Sequence, residues 1–235
     1  GLEAAAASFY GSSELLPVAG SQAAIQALPA ALCATRKQLN VAIVTPGYAE
    51  HAHAWRHCNP LLLEAAAIER SVDTLDVLVL INPNNPNGQT WQAGQLLDWQ
   101  RRLSTRGGWL IVDEAFADPT PELGLAEYAG RPGLILLRSL GKFFGLAGAR
   151  VGFVLAPRPI RRTLREALGP WALSGPARFV ATQALRDTAW QTETRARLHE
   201  DSKRLEHLLA SCGLGENSGC SLFRYLDEAL PGFKP

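Results

Sequence analysis

The sequence contains no methionine, not even an initiator, and Gly stands at position 1 of its 235 residues. The expectation is a chain that is processed, truncated or incompletely recorded. Net charge is nearly absent too: 23 basic residues against 22 acidic ones leave a formal +1. No global field therefore draws nucleic acid or an anionic membrane, and any anion site has to be built locally. The Arg-rich stretches, Arg158 to Arg165 and Arg195 to Arg204, are interleaved with Glu and Leu at helical spacing and read as solvated helix faces. Cys33, Cys58, Cys212 and Cys220 show neither a CxxC pair nor a zinc-type Cys/His spacing, which argues against a zinc site or a redox dithiol and for a reducing compartment, the cytoplasm. No apolar run approaches the roughly 20 residues that span a bilayer, and no secretory signal opens the chain. A Walker loop and a strand followed by GxGxxG are both missing, so nucleotide binding of those kinds has no support.

What is present is a series of short apolar runs: VAIVTPGY (41–48), LDVLVLINPNNPNG (75–88), GGWLIVDEAF (107–116), GLILLRSLGK (133–142) and RVGFVLAP (150–157). Runs apolar on both faces, separated by amphipathic segments such as WQAGQLLDWQRRLSTR, predict an α/β protein with a mostly parallel sheet sandwiched by helices. From Pro176 the apolar residues recur at three and four spacing, predicting one long or broken helix up to Cys212, followed by a short strand in SLFRYL. The change of character near residues 175–190 predicts a large domain over 1–180 and part of a smaller α+β domain over 181–235.

Ligands of an open α/β sheet bind beyond the carboxyl ends of its strands, so polar residues at those ends matter most. Asn85 follows one run, Asp113 ends the next 28 residues later, and Lys142 follows a third after 29 more. A strand-helix-strand unit takes about 30 residues, so this spacing can return all three to one edge.

Lys142, in SLGKFFGLAGAR (139–150), is a lone cation among apolar and glycine residues. Such a setting favours a neutral amine that attacks an aldehyde to give a Schiff base; a surface lysine at a helix start fits the stretch as well. Asp113 needs a partner, because an isolated buried charge is very costly; a protonated heteroaromatic nitrogen, a helix cap or an arginine would each serve. NPNNPNG places Asn85 in a stiff loop with amides to bond a ligand, or is a plain turn. Gly20, Ser21 and Gln22 open a helical run, where free N–H groups and the dipole suit phosphate, or where Ser21 merely caps. Ser139 and Arg150 flank the lysine with donors suited to phosphate, although Arg150 also fits an ion pair. Tyr48 can offer its ring to an aromatic ligand or pack at a rim.

Taken in this order, from about Gly20 to Arg150, the pieces resemble the fold-type I pyridoxal-phosphate enzymes, the aspartate aminotransferase superfamily. The resemblance implies pyridoxal 5'-phosphate as cofactor and a homodimer with no metal. It casts Lys142 as the Schiff-base lysine and Asp113 as the partner of the pyridinium nitrogen, the two catalytic residues. It casts Asn85 as a bond to the phenolic oxygen, Tyr48 as a stacking ring, and Gly20, Ser21, Gln22, Ser139 and Arg150 as the phosphate site. His51 occupies the position that supports the aspartate from behind.

Within the superfamily, NPNNPNG and DEAF are most similar to the branch holding histidinol-phosphate aminotransferases and threonine-phosphate decarboxylases. Many aminotransferases carry a tyrosine where this chain has Phe116, and DEAF together with PGYAEHAHAW and GPWALSGPA is similar to the decarboxylase of cobalamin biosynthesis. The implied reaction is decarboxylation of L-threonine O-3-phosphate to aminopropanol phosphate; the alternatives are transamination of histidinol phosphate or a related amino acid and, with far less support, a cofactor-binding regulatory module without turnover. The arginine that holds a substrate carboxylate near the carboxyl terminus of such enzymes has no counterpart after SLFRYLDEALPGFKP, Arg224 lying in an expected strand. The chain is thus expected to be an incomplete enzyme.

Overall fold

The computed structural model describes residues 1–33, 38–215 and 217–227. Its strands are β1 (Leu15–Val18), β2 (Val41–Thr45), β3 (Leu61–Glu64), β4 (Val77–Ile81), β5 (Trp109–Asp113), β6 (Leu134–Ser139), β7 (Gly152–Leu155), β8 (Ser218–Cys220) and β9 (Phe223–Tyr225). The helices are α1 (Leu2–Tyr10), α2 (Ser21–Cys33), α3 (Ala49–Trp55), α4 (Ile68–Ser71), α5 (Ala93–Ser104), α6 (Arg158–Leu168), α7 (Gly175–Arg186) and α8 (Thr188–Ser211).

Seven strands form one sheet in the order β1-β7-β6-β5-β4-β2-β3, and β8 pairs with β9 in a separate ribbon. Strands β2 to β6 are parallel, while β7 runs antiparallel to both of its neighbours. The α/β class and the mostly parallel sheet are as the sequence predicts.

The central strands are apolar on both faces up to their carboxyl ends because each face of the sheet is covered. Leu78, Leu80, Leu110 and Val112 join a core with Leu2 of α1 and with Leu96, Trp99 and Leu103 of α5. Their neighbours Val77, Val79 and Ile111 point the other way, onto Ile25 and Leu28 of α2 and Leu164 of α6. Period-two alternation thus splits one continuous apolar run between two cores. Each fully buried side chain contributes roughly 1.5–3 kcal/mol of transfer free energy.

Two features differ from the sequence expectation. The spacing between Asp113 and Lys142 is right for one edge, but the β5–β6 connection contains only the short 3-10 turns Pro121–Leu123 and Ala126–Tyr128. Prolines 119, 121 and 132 with glycines 124, 130 and 133 interrupt any α-helix there. The edge strands β1 and β3 carry no clear pattern: Pro17 lies inside β1, which its edge position tolerates, and Leu61 and Leu62 of β3 are more than half exposed. Of the two forms expected for the last helical stretch the broken one is present: at Asp187 the carboxylate accepts the Trp190 backbone N–H at 3.0 Å and starts α8 afresh. Among the described residues no helix is long and apolar enough to cross a membrane.

Candidate active site

Strand register brings the polar residues to one edge. Ile81 of β4 lies opposite Asp113 of β5, and Asp113 lies opposite Leu137 of β6. Ser139, which closes β6, faces Gly152 at the start of the reversed β7, and Gly152 in turn faces Val18 at the end of β1. Loops leaving β1, β2, β4, β5 and β6, together with the loop entering β7, therefore open on the same side.

They enclose a cavity of about 170 Å3. Its wall contains Gly20, Ser21, Gln22, Tyr48, Asn85, Asp113, Ser139, Lys142 and Arg150, every residue singled out from the sequence as a cofactor contact. Ile81, Ala115 and Phe116 complete much of the rest.

Within this wall Asp113 is 4% exposed, and its carboxylate is held from two sides. Oδ1 accepts the Ala115 backbone N–H at 3.0 Å, and Oδ2 lies 3.0 Å from Nε2 of His51, itself 2% exposed. His51 comes from the first turn of α3 and carries the edge of the Tyr48 ring, with centroids 6.3 Å apart at 84°. Tyr48 is 43% exposed, and its hydroxyl donates to Gln22 Oε1 at 3.4 Å.

The start of α2 meets Arg150 and, through Gly152, Ser139. Gly20 has φ +74°, and a Cβ there would stand 2.6 Å from Nη2 of Arg150. Only glycine lets the guanidinium close over the helix start. A Cβ on Gly152 would likewise sit 2.6 Å from the Ser21 nitrogen. Ser139 Oγ accepts from the Gly141 N–H at 3.2 Å, which leaves its own proton free to donate. Among the described residues no carboxylate pairs with Arg150 or Lys142, so the ion-pair reading of Arg150 finds no partner there.

The apolar setting of Lys142 has a different origin from the one its neighbours suggest. Leu140, Phe143 and Phe144 are buried in the core, while the lysine side chain is exposed toward the cavity. Its Nζ lies 5.1 Å from the centroid of the Phe116 ring, a cation–π contact.

Phe116 is braced edge-on by Phe223 of β9, with centroids 5.2 Å apart at 80°. No sequence signal marked Phe223. Nor did one mark Glu50, whose carboxylate accepts Gln22 Nε2 at 2.5 Å and ties α3 to α2. In the NPNNPNG loop, buried Asn82 and Asn84 bond backbone groups of Trp91, Leu123 and Pro46, so they stiffen the loop that presents Asn85. Arg224 lies outside the cavity wall and is bound to Ser202 and Glu206 of α8.

The donor set fits the cofactor implied by the sequence. One wall brings together an anion cup of backbone N–H, hydroxyl and guanidinium, a carboxylate backed by histidine, and a primary amine. Those are the partners of a phosphate, a ring nitrogen and an aldehyde on one small molecule.

The model of the family described as aminotransferase class I and II matches residues 1–223. A threonine-phosphate decarboxylase of Pseudomonas aeruginosa is 53% identical over 228 residues, covering 96% of this chain and 68% of that one. The fold is shared with the crystal structure of an L-threonine-O-3-phosphate decarboxylase from Porphyromonas gingivalis, at a TM-score of 0.81 and 20% identity over 97% of this chain and 72% of that one. It is shared also with a histidinol-phosphate aminotransferase from Sinorhizobium meliloti in complex with pyridoxal-5'-phosphate, at a TM-score of 0.75 and 21% identity over 94% of this chain and 64% of that one. The chain spans about two thirds of the length of these relatives. With a family match over nearly all of its residues and a relative more than half identical, the chain belongs to the aminotransferase class I and II family.

Proposed function

We propose that this chain binds pyridoxal 5'-phosphate in the cavity at the strand ends and, within the whole enzyme, decarboxylates L-threonine O-3-phosphate to aminopropanol phosphate, a step of cobalamin biosynthesis. The observation that carries the reading is the meeting of Lys142, Asp113 and the Gly20–Arg150 cup in one cavity. The 53% identity to a threonine-phosphate decarboxylase supports the choice of substrate, and Phe116 in place of a tyrosine agrees with it.

In this reading Ser21, Gln22, Ser139 and Arg150 bind the phosphate, Asn85 bonds the phenolic oxygen, and Tyr48 covers the ring. Bound there, pyridoxal 5'-phosphate supplies an electron-withdrawing ring that takes up the pair left by the breaking bond. Asp113, oriented by His51 and Ala115, holds the proton on the ring nitrogen through a charge-assisted hydrogen bond worth roughly 1.5–3 kcal/mol. Lys142 would hold the aldehyde of the bound cofactor through Nζ and, when its amine is free, would serve as the acid that returns a proton to the substrate carbon. Which bond breaks is decided by the walls that hold the substrate across the ring plane.

The proposal extends to residues 1–180 as the cofactor-binding domain and 181–235 as the start of a smaller one, since among the described residues none beyond Arg150 lines the cavity. It extends to a cytoplasmic homodimer, for which Phe179 and Trp171, 67% and 94% exposed, offer apolar surface.

The test is Lys142→Ala in the full-length protein. It should lose both the long-wavelength absorbance of the lysine–cofactor bond and the release of carbon dioxide from L-threonine O-3-phosphate; retained turnover would overturn the assignment. Consumption of 2-oxoglutarate with histidinol phosphate, and no carbon dioxide release, would keep the cofactor site and replace decarboxylation by transamination.

A further inference from the structure

The far ends of α2 and α3 hold a second group of reactive side chains. Cys33 closes α2, and Cys58 closes the 3-10 turn Arg56–Cys58 that follows α3. Their sulfurs lie 3.4 Å apart although 25 residues separate them in the chain. Both are free and half-buried in the wall of a groove of about 440 Å3 that also contains Gln26, His53, Arg56 and His57. Among the described residues no group of His, Cys, Asp and Glu is arranged to hold a metal ion, so zinc does not account for the pair.

We infer that Cys33 and Cys58 form a thiol–disulfide exchange site whose oxidant is a low-molecular-weight disulfide such as oxidised glutathione. A protein disulfide requires sulfurs about 2.05 Å apart. The two sulfurs, 3.4 Å apart, have about 1.4 Å to close. Burial, and then the contact with Cys58, push the Cys33 thiol up to about 11; the first attack is assigned to Cys58, which shares its 3-10 turn with Arg56. The guanidinium of exposed Arg56 in the groove wall suits the carboxylates of glutathione.

The exchange balances in two steps. The Cys58 thiolate attacks one sulfur of glutathione disulfide, the S–S bond breaks, and one glutathione leaves with the electron pair. Cys33 then gives up its proton and attacks Cys58 Sγ, and the second glutathione leaves. Two cysteine thiols are oxidised by two electrons, and one glutathione disulfide is reduced to two thiols. The near ends of the same helices are already joined by Gln22 to Glu50 and by Tyr48 to Gln22. The new bond would fasten them at the far ends as well and raise Tm by restricting the unfolded chain.

The experiment treats the full-length, reduced protein with oxidised glutathione, alkylates the remaining thiols, digests with trypsin and maps the products by mass spectrometry. The expected product is the tryptic peptide that ends at Arg36 linked to peptide 57–70, two hydrogens lighter than their sum, with a Tm increase that reductant reverses. Cys33→Ser should instead retain glutathione on Cys58, because the resolving thiol is gone. Recovery of Cys33 and Cys58 as alkylated thiols, as separate glutathione adducts, or linked to Cys212 or Cys220 would overturn the inference. An oxidised chain with the expected link and an unchanged Tm would overturn the fastening of the two helices.

Discussion

Arg138→Met should destabilise the fold by about 3–5 kcal/mol, because it strands two buried carboxylates. The guanidinium of Arg138 lies 2.7 Å from Glu114 Oε2 and 2.9 Å from Asp118 Oδ1, and the three side chains are 4%, 0% and 1% exposed. It also stands 5.1 Å from the centroid of the Tyr10 ring. Methionine fills similar volume and supplies no charge. For a chain of this length each kcal/mol moves Tm by about 2–4 °C, so the shift should be roughly 6–20 °C.

Arg102 is the comparison. It reaches three carboxylates, Glu69 at 2.5 Å, Asp73 at 2.6 Å and Asp98 at 3.5 Å, but those are 65%, 62% and 45% exposed. Water and salt screen such pairs, and their loss leaves nothing buried and unpaired. Arg102→Met should shift Tm by less than about a third of the Arg138→Met value. Counting ion pairs predicts the opposite order. Scanning calorimetry of both variants decides, and an equal or larger shift for Arg102→Met would refute the reasoning.

A pH arm separates charge from lost packing. Burial raises Glu114 and Asp118 above the usual carboxylate range even with Arg138 opposing it. A carboxyl whose folded pKa is raised contributes its stability fully below the unfolded value and loses it as pH rises through the folded one. Without Arg138 the folded values rise further, so the deficit of the variant against the parent should widen from pH 5 to pH 8. A deficit that does not change with pH would assign the loss to packing.

Gly20→Ala strains a backbone at φ +74° and pushes a methyl group to 2.6 Å from Arg150 Nη2; cofactor affinity should fall roughly tenfold or more, and an unchanged titration curve with pyridoxal 5'-phosphate would dismiss the cup as its phosphate site. Asp187→Ala removes the side chain that accepts the Trp190 N–H at the start of α8; the expected loss is about 1 kcal/mol in urea denaturation, and no loss would mean that packing alone sets the start of α8.

What could be read from the sequence follows from where each group lies relative to a strand. Asp113 and Ser139 close strands, and Lys142, Asn85 and Tyr48 follow strand ends by three or four residues. A group so placed reaches the carboxyl edge whatever the order of the strands, so its location needs no knowledge of topology. The contacts that escaped notice depend on topology throughout. Phe223 meets Phe116 across 107 positions, counted from their residue numbers, and Cys33 meets Cys58 only because α2 and α3 pack side by side. β1 and β3 escaped for another reason: an edge strand need be apolar on neither face, and Pro17 and the exposed leucines leave no alternation to find.

The buried ion cluster and the cavity share two strands through adjacent residues. Asp113 and Ser139 line the cavity, whereas their neighbours Glu114 and Arg138 turn away from it and pair with each other. The Glu114 backbone N–H also bonds the Leu137 carbonyl at 2.9 Å, one residue before Arg138. A displacement of either charged side chain therefore pulls on the backbone that aims Asp113 or Ser139. If so, Arg138→Met, measured where it is still folded, should weaken cofactor binding although Arg138 lies outside the cavity wall. Equal cofactor affinity in the folded variant and its parent would show that the two strands hold the site without the cluster.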